Sequence, residues 1–294
     1  MDDASNSAVK GGADSDFISA YTLSNSLING NLGDDVIEIY NAASSSSVFG
    51  GKGQDRIDLF GSSLNSRVHG DDGNDRIYLY GDVTGSTING NAGNDLIEVY
   101  TNFTNSTIFG GAGGDEINAY NTSGDIYLSG DLGDDLIFGS TAAENTLLGG
   151  AGNDTIEGGG FDDTIEGGDG ADLLTGNSGG DVFTYTSVAQ TGTNFTVADL
   201  SIDEITDFAD GVDVIEGFGV AGSSDNFGSD SALDYAGALA AANTAFATPG
   251  GTKEYYFVDA VGDSFLFIDL GATGTTQGVI SLNDNNIVFT DILA

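Results

Sequence analysis

Gly90-Asn91-Ala92-Gly93-Asn94-Asp95-Leu96-Ile97-Glu98-Val99-Tyr100 is one copy of a phrase that recurs eleven times. Its aspartate falls at Asp16, Asp35, Asp55, Asp75, Asp95, Asp115, Asp135, Asp154, Asp163, Asp172 and Asp181. The intervals are 19, 20, 20, 20, 20, 20, 19, 9, 9 and 9 residues. A period held over so many copies predicts a solenoid of stacked coils, because each repeat can bury its apolar face only against its neighbours.

The phrase has a chemistry of its own. Glycines at its first, second and fourth places are expected to take positive φ and turn tightly, aiming backbone carbonyls into one concavity. The aspartate adds a hard anionic oxygen, and carbonyl and carboxylate oxygens together suit calcium at about 2.3–2.6 Å. Turn by turn, the candidate metal-binding residues are Asp16; Gly33 and Asp35; Gly50, Gly51, Gly53 and Asp55; Gly70, Asp72, Gly73 and Asp75; Gly90, Gly93 and Asp95. They continue with Gly110, Gly111, Gly113 and Asp115; Gly130, Gly133 and Asp135; Gly149, Gly150, Gly152 and Asp154; Gly158, Gly159 and Asp163. Gly167, Gly168, Asp169, Gly170 and Asp172, and finally Asp181, complete the set.

Outward from the turns, the coils read as strands. Two places before each first glycine stand Ile28, Val48, Val68, Ile88, Ile108, Leu128 and Leu147, and four places before it stand Ser26, Ser46, Ser66, Ser86 and Ser106. After the turn, Ile37/Ile39, Ile57/Leu59, Ile77/Leu79 and Ile97/Val99 alternate with Glu38, Asp58, Tyr78 and Glu98. Period-two alternation is the strand signature. Each coil is therefore expected to hold two strands, one glycine turn and one longer serine, threonine and asparagine turn.

The chain divides into a short polar start (1–10), 20-residue coils (11–157), nine-residue repeats (158–190) and a differing last part (191–294). In 158–190 the motif occupies both turns of a coil; in the 20-residue coils it occupies one, which leaves the other edge without metal ligands. In the last part, Ser231 to Phe246 reads as a helix ended by Pro249-Gly250-Gly251. Strand-like runs follow at 254–258, 264–270, 278–282 and 286–289.

The 46 acidic residues face six basic ones (Lys10, Lys52, Arg56, Arg67, Arg76 and Lys253), for a net charge of −40. Such charge opposes collapse until cations neutralise it, so folding is expected to be coupled to metal binding. Nucleic acid and anionic membrane surfaces need basic contacts and are disfavoured as partners. Without cysteine and with His69 as the sole histidine, disulfides and the common zinc clusters are excluded. No apolar run of about 18 residues is present to span a membrane. The first residues lack the charged and apolar regions of a cleaved N-terminal signal.

The glycine and aspartate-rich nonapeptide G-G-x-G-x-D-x-U-x resembles the calcium repeat of the RTX (repeats-in-toxin) family. The segment Ile202 to Ile215 resembles the stretch that follows such repeats. Some turns depart from the pattern: Gly30-Asn31, Gly70-Asp71, Gly90-Asn91 and Gly130-Asp131 lack the second glycine. The resemblance implies an all-β, right-handed parallel β-roll with several Ca2+ ions between turns, closed by a small mixed α+β capping and secretion module. It implies a chain unfolded in calcium-poor cytosol and located outside the cell or on its surface after export by type I secretion machinery. Asp291, Ile292, Leu293 and Ala294 look like the uncleaved export signal of such substrates, or else a plain terminal strand.

Catalysis is not expected. H-E-x-x-H is absent, and Gly176-Asn177-Ser178-Gly179-Gly180, which fits the G-x-S-x-G nucleophile elbow, lies within a repeat turn and far in sequence from His69. His69 reads as an outward surface residue. The column Tyr21, Tyr40, Phe60, Tyr80, Tyr100 and Tyr120 recurs once per coil. It reads either as stacking that closes the strand end or, chiefly through Tyr40, Phe60, Tyr80, Tyr100 and Tyr120, as an exposed interaction stripe. Two functions remain: a secreted structural protein that self-associates into a surface layer, matrix or fibre, and a calcium-dependent adhesin, binding or carrier module of a larger secreted protein.

Overall fold

The computed structural model describes residues 3–120 and 122–186. Beyond them it describes 194–196, 199–201, 203–208, 213–217, 227–232, 242–243, 247, 255–260, 263–268, 276, 278–282 and 292–293. The chain is a parallel β-solenoid of about nine turns, nearly without helix. Each coil gives one strand to each of two sheets, and equivalent residues pair from coil to coil. Arg56–Leu59 pairs with Arg76–Leu79, which pairs with Leu96–Val99. Across the coil, Ser47–Lys52 pairs with Arg67–Asp72, which pairs with Thr87–Ala92.

In-register stacking places like residues in columns. Ile28, Val48, Val68, Ile88, Ile108 and Leu128 form one wall of the core, and Ile37, Ile57, Ile77, Ile97, Ile117 and Ile137 the other; each is fully buried. Burying one such side chain stabilises by about 1.5–3 kcal/mol. A coil gains this only when a neighbour covers it, which is why the repeat is the unit of stability.

The longer turn differs from expectation. It holds a third, short strand, as in Ser62–Leu64, Val83–Thr84 and Phe103–Thr104, stacked on the end of the long strand Val36–Ser44. Its inward column, Leu23, Ala43, Ser63, Val83 and Phe103, is buried. The polar residues between these positions hid a period-two pattern of only three residues.

At the start, the described residues of the stretch set apart above join the solenoid: Ala4–Ser5 pairs with Leu23–Ser24, and Ala8–Gly12 pairs with Leu27–Asn31. Past the nine-residue repeats, Asp203–Ile205 and Val214–Gly217 continue the two sheets. Gly278–Leu282 then pairs parallel to Asp203–Ile205, and Asp263–Ile268 and Tyr255–Ala260 extend the sheet antiparallel.

The helix expected over 231–246 falls mostly outside the described residues. Ser231 and Ala232 end the strand Phe227–Ala232, while Ala242 and Asn243 are helical and the Ala247 N–H donates to the Asn243 carbonyl at 3.0 Å. The run 286–289 and the terminal Asp291 and Ala294 also lie outside them. Ile292–Leu293 is a short strand paired with Ile215–Glu216. Among the described residues, no helix is long and apolar enough to cross a membrane.

A candidate metal-binding edge

Stacking brings the repeat aspartates into a single ladder. The Asp35 N–H donates to Asp55 Oδ1 at 2.7 Å, and the same bond links Asp55 to Asp75, Asp75 to Asp95, Asp95 to Asp115 and Asp115 to Asp135, each at 2.7 Å. It begins at Asp16, whose N–H reaches Asp35, and runs on through Asp154 and Asp172. Asp163 and Asp181, from the nine-residue repeats, stand on the opposite edge in a second ladder that starts at Asn145.

These carboxylates point inward and are buried, from Asp35 to Asp181. One oxygen of each is used by the ladder. The other, Oδ2, is buried without a hydrogen-bond partner in Asp35, Asp55, Asp75, Asp95, Asp115, Asp135, Asp154, Asp163 and Asp172. Orphaned buried carboxylate oxygens are costly, and the protons respond. Burial pushes Asp55, Asp95, Asp135, Asp172 and Asp181 up to about 6, and Asp75, Asp115, Asp154 and Asp163 up to about 7. The hydrogen bonds each carboxylate accepts oppose this shift.

The profile of the RTX calcium-binding nonapeptide repeat (4 copies) matches residues 60–83, 80–100 and 145–183, which trace these same turns. The chain carries RTX calcium-binding repeats. RTX repeats bind calcium, and proteins that carry them are typically secreted. No curated protein matched the chain in sequence.

The residues present fit such an ion. A Cβ built on Gly50 would lie 2.5 Å from Asp55 Oδ2 and 2.6 Å from the Gly70 carbonyl oxygen, and Gly70, Gly90, Gly110, Gly130, Gly149 and Gly158 repeat the arrangement. Beside these first glycines, then, an orphaned anionic oxygen and a carbonyl of the next coil crowd the same space. Among the described residues, no three acidic or histidine side chains converge as a ready cluster. Each site must therefore draw on backbone carbonyls with its carboxylates, a donor set suited to calcium.

The glycines divide their work differently from the expectation that all three take positive φ. The fourth-place residues Gly33, Gly53, Gly73, Gly93, Gly113, Gly133, Gly152, Gly170 and Gly179 do so, as do the second-place Gly51, Gly111, Gly150 and Gly168. Where the second glycine is missing, Asn31, Asp71, Asn91 and Asp131 adopt the same turn at φ 74–77°, a region that Asn and Asp tolerate best among residues with a side chain. The first-place glycines are needed for space.

Sequence reasoning missed three sets of residues. At the fifth place of the turn, Asp34, Asn74, Asn94, Asp134, Asn153 and Asp162 each accept a backbone N–H from the following coil at 2.7–3.1 Å; their recurrence before the ladder aspartate was the available signal. Asp203 and Asp213 extend the two ladders, accepting the Asp172 and Asp181 N–H at 3.0 and 2.9 Å. Asp207 caps the N–H groups of Gly176 and Asn177. Asp203 is fully buried against the Tyr185 hydroxyl, and burial pushes its carboxyl up to about 9.

On the opposite edge of the 20-residue coils, serine replaces aspartate. The Ser7 N–H donates to Ser26 Oγ, and the bond repeats through Ser46, Ser66, Ser86 and Ser106 at 2.9–3.2 Å. Each hydroxyl donates in turn to a carbonyl two residues before it.

The aromatic column is both stacked and half-exposed. Rings of Tyr40, Phe60, Tyr80 and Tyr100 follow one another at 5.0–5.3 Å, tilted by 3–21°, and Phe60, Tyr100 and Tyr120 are about two-fifths exposed. Tyr120 packs edge-on against Phe138 instead. Stacked rings show only their edges outward. His69 is half-buried, edge-on to Phe49 and 3.8 Å from Asp71. Ser178 lies in the turn, its N–H bonded to the Gly159 carbonyl.

Proposed function

We propose that this RTX protein is a secreted, non-catalytic structural scaffold that folds outside the cell when calcium enters the glycine and aspartate edge, and that then self-associates. The observation that carries this reading is the set of nine orphaned, buried Oδ2 atoms, eight on the long ladder and that of Asp163 on the opposite one, in a chain of net charge −40. When bound, calcium supplies the positive charge that those oxygens lack. The turn residues, from Asp35 to Asp181, would hold it with the glycine carbonyls.

In cytosol the acidic, calcium-free chain stays open and suited to type I export. Outside, at the calcium levels matched by sites of about 10⁻⁴–10⁻³ M, the coils close. The half-exposed ring ladder favours association of copies, since exposed apolar patches mark interaction surfaces. Calcium titration followed by circular dichroism and sedimentation on one sample tests the reading. β signal and large assemblies rising together support it. A folded monomer at millimolar calcium favours the adhesin or carrier reading, and a chain folded at neutral pH without calcium overturns the calcium switch. Replacing Tyr80 and Tyr100 by serine is expected to abolish association while leaving calcium-induced folding intact.

A further inference from the structure

The aspartate ladder is continuous from Asp16 to Asp203, but the fifth-place ladder beside it is not. Asp34 Oδ1 accepts the Gln54 N–H at 2.8 Å. Asn74 Oδ1 accepts that of Asn94 at 2.9 Å, and Asn94 that of Gly114 at 3.1 Å. Asp134 accepts from Asn153 at 2.7 Å, and Asn153 from Ala171 at 2.9 Å. Gln54 makes no such bond to Asn74 among the described residues, and Gly114 and Ala171 have no side chain that can accept one. The stitched runs are therefore 34–54, 74–114 and 134–171.

A fifth-place N–H belongs to the same rigid peptide plane as the carbonyl of the fourth glycine. Fixing the N–H of Gln54 fixes the direction of the Gly53 carbonyl; the bonds at Asn94, Gly114, Asn153 and Ala171 do the same for Gly93, Gly113, Gly152 and Gly170. The carbonyls of Gly73 and Gly133, which follow the two gaps, are not held in this way. We propose that the fifth-place Asp and Asn are positioning residues that aim metal-binding carbonyls, and that their gaps after Gln54 and Gly114 divide calcium loading into three cooperative blocks. This rests on the calcium reading above and adds to it a unit of cooperativity smaller than the roll.

Calcium titration of the full chain, followed by hydrogen exchange resolved by peptide, tests it. Protection is expected to arrive together within each block and at separate calcium concentrations between blocks. Asn94→Ala should raise the midpoint of the 74–114 block alone, about fivefold for the loss of one hydrogen bond, and Asn94→Asp should restore it, because aspartate serves at 34 and 134. Gln54→Asn should merge the first two blocks and steepen their titration, whereas a merely stabilising change would move the midpoint without the slope; Gln54→Ala should do nothing. One common midpoint for all coils, or an unshifted 74–114 block in Asn94→Ala, overturns the inference while leaving calcium binding intact. Absence of protection at any calcium concentration overturns both.

Discussion

The two edges of the 20-residue coils meet the same demand with different chemistry. On each, a backbone N–H must bond across one coil to a side-chain oxygen. Serine does this with a hydroxyl that finds its own acceptor, so nothing on that edge is left wanting. Aspartate does it with one oxygen and leaves the other buried and bare. The hydrogen-bond frame is thus shared, and only the carboxylate edge makes the fold conditional on a cation or a proton.

The largest effect should come from removing calcium at neutral pH, with loss of the β signal in far-ultraviolet circular dichroism as nine buried carboxylates lose their counter-charge. Protons should substitute. Burial raises the Asp55, Asp75, Asp95 and Asp115 carboxyls in the folded chain to about 6 or 7, above the ordinary 3.8. Their contribution to calcium-free stability is therefore fully present below pH 3.8 and lost as pH rises through that range. A calcium-free sample should gain β signal on acidification from pH 8 to 4; a flat profile would break the contrast between the edges.

Exchanging the two chemistries sharpens it. Ser86→Asp places a second buried carboxylate on the neutral edge and should destabilise the calcium-free roll at pH 7 by more than Ser86→Ala, which leaves the Ser66 N–H unsatisfied at a cost of about 1–3 kcal/mol. The reverse change, Asp95→Ser, keeps an acceptor near the Asp75 N–H while removing an orphaned oxygen. It should weaken the calcium response yet lower the calcium-free penalty, both readable in thermal melts with and without chelator.

Gly50→Ala acts only through the space beside Asp55 and Gly70. It should raise the calcium needed for folding, whereas a methyl added on the serine edge by Ser46→Thr should not. The smallest effect is expected at the ring ladder, where Tyr80→Ser should lose about 0.5–1.5 kcal/mol for each ring contact beyond burial in a calcium-saturated melt, with the calcium midpoint per block unchanged.

Much of this was legible in the sequence because stacking in register turns a spacing into a column. Asp35 to Asp135, Ile28 to Leu128 and Ser26 to Ser106 could be placed by counting. The third strand escaped because Ser62–Leu64 shows only one inward residue. Asp203 and Asp213 escaped because the interval jumps from 18 residues to 31 and 32, and counting fails where chain loops out between rungs. The first-place glycines were read by conformation when their constraint is volume, set by an aspartate five residues on and a carbonyl one coil away.

The aspartate ladder also gives the roll a head and a tail. Every rung lends its N–H toward the C-terminal neighbour and receives from the N-terminal one. Trimming the chain through Asp16 strips the donor from Asp35 Oδ1, which water readily replaces. Trimming from Asp203 backwards strands the N–H of Asp172 and bares the apolar columns beneath it. The solenoid is therefore a one-way zipper, tolerant of shortening at its first coil and dependent on its last.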